Sequence, residues 1–477
     1  MATGTETSLT PSLEAMLGPQ LTAEQARAIY EQGVEATVFA LLILAKRLAE
    51  TQAAGGASPT RPSGMTPVYE KPTSRKWRRK AGRKAGHPGS RRAAPVRIDR
   101  QEEHTLEACP TCQGPVSPCR KSRCRIIEDI PEAITPMATE HTIRRYWCSR
   151  CRQIVEPTVP EALPGSTLGL RVLVLSAWLH YALGNTLSQI VEVFNFHLQL
   201  KLTTGALVQM WYRLQEILFA WYLEIQAQAL EAAVLHADET GWRVAGKTCW
   251  LWCFTTTDLT YYLIDRCRGS PVLKKFFQKH FAGTLVSDFW GAYNAVACAQ
   301  RQKCLPHLLR ELKKVDHYHR PGGDWPLFRK RLRRLIRDAI RTRQRRLSAN
   351  KRAAQRQRLE QRLQTLLTHV WENKHARRLV KRLRRHATEL FTFIEHPEVP
   401  FDNNHAERMI RPAVIIRKNS YANGSLDGAD LQAVLMSIYR TLKQRGHNPI
   451  QSIIAAVRTY LKTGSLPPLP AKSTELG

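Results

Sequence analysis

Two short apolar runs in this sequence each end in a carboxylate. Val234-Leu235-His236-Ala237 runs into Asp238 and Glu239, and Gly283-Thr284-Leu285-Val286-Ser287 runs into Asp288. A third acid, Glu407, lies within Asn403-Asn404-His405-Ala406-Glu407-Arg408-Met409-Ile410-Arg411. A buried strand delivers a carboxylate to the rim of a sheet in this way. Two acids placed side by side repel each other, and divalent cations relieve the repulsion. Mg²⁺, or Mn²⁺ in its place, takes oxygen ligands and keeps positions open for water and phosphate. Two such ions roughly 3.5–4 Å apart activate an attacking oxygen and stabilise a leaving one. We therefore read Asp238, Asp288 and Glu407 as one metal-holding set for phosphodiester chemistry. Glu239 and Asp402 are rival carboxylates. Glu239 ranks second, because neighbouring residues of a strand point to opposite faces.

A second group of residues carries different chemistry. Cys109-Pro110-Thr111-Cys112 and Cys148-Ser149-Arg150-Cys151 form two Cys-x-x-Cys pairs. Four thiolates suit tetrahedral Zn²⁺, and a site closed by four protein ligands is structural rather than catalytic. Cys119 and Cys124 lie between the pairs, so the ligand set keeps that alternative open. Eleven cysteines in a long chain without a visible secretion signal point to thiols or metal ligands rather than disulfides.

The balance of charge names the partner class. Lys plus Arg total 72 against 40 Asp plus Glu, a formal net charge of +32. That excess is clustered as well as large, which implies a polyanion such as double-stranded DNA. Thr73 to Arg92 holds nine basic residues and no acid, among them Arg75, Lys76, Arg78, Arg79, Lys80, Arg83 and Lys84. Arg329 to Arg385 holds 22 basic residues against three acids. Arg411, Arg417 and Lys418, beside Glu407, are further phosphate contacts. The most apolar early run, Val38 to Ala45, falls short of the ~20 residues that span a bilayer, so no membrane partner is expected. A cytoplasmic, nucleoid-associated bacterial protein is the expectation.

The elements that must position these groups follow from periodicity. Residues 1–50 contain a helix from about 21 onward. Its Val34, Val38, Leu41, Ala45 and Leu48 make a short a/d seam, for self-association or for docking on its own domain. Residues 51–98 read as a basic flexible linker and 99–160 as a zinc ribbon. Residues 161–230 are helical and apolar, either a packing layer or a DNA-binding helix-turn-helix opening at Asn185 and Thr203. From Val234 the period changes to a strand with Asp238, a hairpin of Cys249–Thr257 and Leu259–Ile264, a helix over Pro271–Phe281, a strand with Asp288, then a helix. That order predicts a ribonuclease-H-like mixed sheet over 231–304 and 396–462, interrupted by a basic helical insertion at 305–395. A Pro-rich loose tail occupies 463–477. The fold class is thus multidomain α/β.

These residues resemble a known family. The opening helix through Leu41-Leu42-Ile43-Leu44-Ala45-Lys46-Arg47-Leu48, the Gly82–Gly89 linker and the four paired cysteines carry part of the likeness. His236-Ala237-Asp238-Glu239-Thr240, Ser287-Asp288-Phe289-Trp290-Gly291-Ala292-Tyr293 and Asn404-His405-Ala406-Glu407-Arg408-Met409-Ile410-Arg411-Pro412 with Arg417-Lys418-Asn419 carry the rest. The chain looks like a transposase of the insertion-sequence-sixty-six family, in the DDE superclass. The resemblance implies that Asp238, Asp288 and Glu407 are the catalytic acids, and that the protein cuts transposon ends and joins the freed 3′ ends to target DNA. It implies a homo-oligomer on DNA and accessory proteins from the same element. One departure is Cys304-Leu305-Pro306-His307-Leu308, where the family shows a Cys-Trp-x-His-like segment. The residues by themselves reach metal-dependent DNA cleavage. They leave open a nuclease that does not join and a zinc-ribbon protein that only binds DNA.

Overall fold

The computed structural model of the protein describes residues 23–31, 33, 34, 36–38, 40, 41, 95, 97–117, 124–127, 129, 130, 134–345 and 347–473. The basic stretch from Arg75 to Lys84 and Cys119 lie outside the described residues.

Helix α1 spans Ala23–Glu31. Gly33 follows with φ +105°, a left-handed backbone that interrupts the single helix expected there. Helical residues resume beyond it, but Val34, Val38 and Leu41 of the apolar seam are exposed. The ribbon region contributes one small hairpin, β1 (Tyr146–Cys148) paired antiparallel with β2 (Gln153–Val155).

Helices α2 (Leu170–Tyr181), α3 (Leu187–Glu192) and α4 (Thr204–Leu230) follow. Thr186 and Gln189 close a reciprocal capping box on α3, and the Thr203 side chain caps α4. On α4, Leu207, Trp211, Leu214, Leu218, Trp221 and Ile225 are buried at helical spacing. The helix therefore spends its apolar face on the core, as a packing layer does.

The main sheet has five strands: β3 (Val234–Val244), β4 (Lys247–Thr255), β5 (Thr260–Asp265), β6 (Phe281–Ser287) and β7 (Cys298–Lys303). Their order is β5-β4-β3-β6-β7. The pairs β3–β4 and β4–β5 are antiparallel, while β3–β6 and β6–β7 are parallel. Helix α5 (Ser270–Phe277) connects β5 to β6. A Cβ at Gly283 would run into the backbone oxygens of Ala232 and Ala233, so only glycine lets β6 approach β3 here.

The expected helix directly after Asp288 is instead a short 3₁₀ turn, Gly291–Ala295, leading into β7. The sequence of β7, Cys-Ala-Gln-Arg-Gln-Lys, is polar because it is an edge strand, and its Gln302 and Lys303 are buried by polar partners rather than by apolar ones.

The chain then builds α6 (Leu305–His319), α7 (Trp325–Arg343), α8 (Ala349–Thr368), α9 (Lys374–Arg385) and the short α10 (Thr392–Glu395). These helices have their own apolar core, with Phe328, Leu332, Leu359, Leu363, Leu379 and Leu383 inside it. Val286 of β6 belongs to that core, and Phe289 and Phe401 pack against it. The larger core joins α2, α4 and the sheet to α11 (Asn404–Ser420), α12 (Leu426–Gln444) and α13 (Pro449–Thr463). The Pro-rich tail is tied down rather than loose over its described part. Trp221 Nε1–H donates to the Pro467 carbonyl at 2.7 Å, the Ser473 amide to the Arg445 carbonyl at 2.8 Å, and Leu469 is buried. No helix among the described residues is long and apolar enough to cross a membrane.

Candidate active site

The parallel register pairs His236 of β3 with Val286 of β6. Two residues further along stand Asp238, within β3, and Asp288, just past the end of β6, so the two acids occupy equivalent positions on adjacent strands, and the expected strand end at Asp238 is not found. Parallel neighbours lie about 4.8 Å apart. Burial raises the Asp238 carboxyl well above the ordinary range, and Glu239, then Asp288 and last Glu407 push it further up. The Asp288 carboxyl is raised as well, chiefly by burial, against the pull of the Trp290 amide, Lys303, Arg268 and Arg382.

Glu407 lies in the first turn of α11. Asn403, fully buried at the head of that helix, pins it. Its Nδ2–H donates to the Ala237 carbonyl at 2.8 Å, its Oδ1 lies 3.0 Å from His236 Nδ1, and its amide meets Cys304 Sγ at 3.2 Å. The Asn403 carbonyl in turn accepts the Glu407 amide at 3.1 Å. Asp238 thus feels the charges of Asp288 and Glu407 from two distant segments, but the oxygens of the three acids do not form a group within 4.8 Å of one another.

Glu239 leaves on its own anchors. Arg268 Nη2 stands 2.9 Å from Glu239 Oε1, and the Tyr293 hydroxyl donates to Oε2 at 2.5 Å. Burial, then Asp288, push its carboxyl up to about 7, so it stays electrically part of the cluster. Asp402 does not join. It lines a separate cavity of about 610 Å³ with His236, Asp258, Glu398, His405 and Arg408.

Further residues stand beside Glu407 and Asp288, of which only Cys304 and His307 stood out in the sequence. Arg310 Nη2 donates to Glu407 Oε1 at 2.8 Å, and His307 Nε2 lies 3.8 Å from the same oxygen. Both come from α6, inside the segment read as an insertion. Cys304, His307 and Glu407 hold their donor atoms within 4.8 Å of one another, and they are the only such group among the described residues. Burial pushes the Cys304 thiol up to about 12 and the His307 imidazole down to about 4, so both are neutral near pH 7. Lys303 is a buried lysine whose Nζ donates to Ser287 Oγ and to the Asp288 carbonyl, each at 3.0 Å. The Cys304-x-x-His307 spacing was the available signal for α6. Lys303 and Arg310 had none.

The expected phosphate contacts divide. Arg411 and Lys418 are exposed, while Arg417 spends its guanidinium on Thr240 Oγ1 at 3.2 Å and on the Gly241 carbonyl. In the ribbon, Cys112 and Thr111 amides lower the Cys109 thiol, and the Cys151 amide does the same for Cys148 at 3.4 Å. Each pair is a formed knuckle, but the four sulfurs do not meet in one cluster. Cys124 is exposed.

A mixed sheet inside a chain of net charge +32 has the character of a nucleic-acid-binding protein. Residues 165–431 match the Transposase IS66 family, and the chain belongs to that family. It is also similar to the uncharacterized protein y4qI of Sinorhizobium fredii, with 27% identity over 239 residues, covering 43% of this chain and 43% of the relative. The chain therefore spans less than half the length of that relative.

Proposed function

We propose that the protein is a DNA transposase whose Asp238, Asp288 and Glu407 hold divalent metal ions, cut the DNA at transposon ends and transfer the 3′ ends into target DNA. The family membership supports transposition. The observation that carries the finer reading is that Asp238 of β3 feels the charges of Asp288, just after β6, and of Glu407, on α11. Burying like charges is costly unless a cation joins them. The donor set is all carboxylate oxygen, which suits Mg²⁺ or Mn²⁺. When bound, such ions activate the attacking oxygen and stabilise the leaving one. The sheet order β5-β4-β3-β6-β7 supports a ribonuclease-H-like reading of this domain.

The chain's own residues do the positioning. Asn403 fixes Glu407 against β3, Lys303 fixes the Asp288 backbone, and Arg310 holds Glu407 Oε1. In-line displacement at phosphorus serves both steps. Water attacks first and a 3′ oxygen leaves; that 3′ hydroxyl then attacks a target phosphorus and displaces the target strand's own 3′ oxygen, which leaves as a hydroxyl. The exposed face of α7 supports duplex binding. Lys330, Arg333, Arg334, Arg337 and Arg341 recur there at helical spacing, and among the described residues Lys330, Arg333 and Arg337 have no ion pair. Cys109, Cys112, Cys148 and Cys151 are the proposed structural Zn²⁺ ligands, and Arg75 to Lys84 the proposed DNA-binding arm. Incubating labelled transposon-end DNA with a plasmid in Mg²⁺ tests the reading. Covalent joint products are expected; cleavage without joining would make the protein a nuclease.

A further inference from the structure

Beside the acids stands an aromatic arrangement that the chemistry above does not use. The Arg268 guanidinium lies between two indoles, 4.3 Å from the Trp250 ring centroid and 4.0 Å from that of Trp290. Glu239 holds the guanidinium from one side. Trp290 is also bolted to the active site directly: its amide donates to Asp288 Oδ1 at 2.8 Å, and its indole Nε1–H to the Arg268 carbonyl at 3.3 Å. With one face against Arg268 and its backbone on a catalytic acid, Trp290 nonetheless remains 37% exposed.

Held on the Arg268 guanidinium and through its own amide, the Trp290 ring still has surface open to solvent on which a planar group can stack. Its place decides which. A phosphodiester in reach of Asp288 brings the base of an adjoining nucleotide next to Trp290, and every base presents a π-face to such a ring regardless of sequence. The neighbouring cation and the basic surface complement the phosphates on either side. We propose that Trp290 is a stacking platform for one unpaired nucleobase flanking the phosphodiester in the acid cluster. The base is drawn out of the helix there, which gives the phosphate room to reach the acids. This rests on the reading of Asp238, Asp288 and Glu407 as the DNA-processing site.

The test is a binding cycle without turnover. Affinity is measured in Ca²⁺ and 0.3 M KCl, where phosphate contacts are weakened. The probes are short duplexes with a four-nucleotide 3′ overhang, one intact and others with a single abasic site at each overhang position. The wild-type protein is expected to lose about tenfold at one position, the size of one base–aromatic stack. Trp290→Leu should lose a similar factor on intact DNA and then become indifferent to the abasic site. Trp290→Phe should retain most of the affinity, which guards against misfolding as the cause. Equal affinity of the wild-type protein for all probes, or losses that simply add in Trp290→Leu, would overturn the platform while leaving the acid site standing. A wild-type protein that binds none of the probes would overturn the underlying reading as well.

Discussion

Arg310 Nη2 donates to Glu407 Oε1 at 2.8 Å, so the third acid of the cluster is held by a cation of the chain itself. Both side chains are about one-third exposed, at 33% and 34%. An ion pair in that setting contributes roughly 1 kcal/mol or less. It can keep Glu407 in place and still yield it to a divalent ion. Arg310→Met should therefore bind Mn²⁺ about two- to fivefold more tightly, with little change in melting temperature. Titration calorimetry reads both the constant and the number of ions. Weaker Mn²⁺ binding in the variant would show that Arg310 assembles the site rather than competing for it.

The position of Glu407 depends on Asn403, whose side chain and backbone tie the start of α11 to Ala237 and Cys304. Asn403→Ala leaves the Ala237 carbonyl without that donor in a buried place. The expected cost is about 1–3 kcal/mol in urea unfolding. Mg²⁺-dependent cleavage should fall much further than the stability does, because Glu407 loses its register. If stability drops and cleavage of the remaining folded protein stays normal, Asn403 is only a structural residue.

The pH dependence follows from the raised carboxyls. Glu239 titrates near 7 in the folded protein against an ordinary 4.5, and Asp238 and Asp288 are raised in the same direction. A folded state that keeps protons the unfolded chain has lost becomes less stable as pH rises through that window. His236 and His307, lowered to about 4, act oppositely below about 6.5. The clean quantity is therefore the rise in melting temperature caused by Mg²⁺ over EDTA. It should grow steadily between about pH 5 and pH 8, because the ion favours the ionised acids. A Mg²⁺ effect independent of pH would contradict the coupling.

The stripe on α7 predicts a salt effect. Replacing Lys330, Arg333 and Arg337 together by Gln should lower the slope of log affinity against log salt by roughly 3. Fluorescence anisotropy at several KCl concentrations measures it, and an unchanged slope would remove α7 from the DNA path.

The sequence carried much of this architecture. The strand ending at Asp288 was legible because its apolar β-formers stop there, and the β4–β5 hairpin because its residues are β-branched and aromatic, whereas β3 does not end at Asp238 but continues to Val244, paired with β4. Strand β7 was not, since an edge strand buried by Gln302 and Lys303 lacks an apolar period. Arg310 was lost in a background of basic residues where no single arginine stands out. Arg417, read as a phosphate contact, gives its hydrogen bonds to β3, a tertiary contact that no local pattern of basic residues reveals. Trp290 was visible as part of a motif, but its stack with Arg268 and Trp250 depends on tertiary contacts across separate elements.

The central claim is that Asp238, Asp288 and Glu407 act as one metal-dependent unit. The direct measurement is Mg²⁺-dependent nicking and joining of transposon-end DNA by Asp238→Asn, Asp288→Asn and Glu407→Gln, each checked for folding by its melting curve and for DNA binding in Ca²⁺. All three should bind DNA and lose both reactions by a factor on the order of 10³ or more, a loss of about 4 kcal/mol of transition-state stabilisation. Any one of them that nicks and joins as the wild-type protein does would contradict the account.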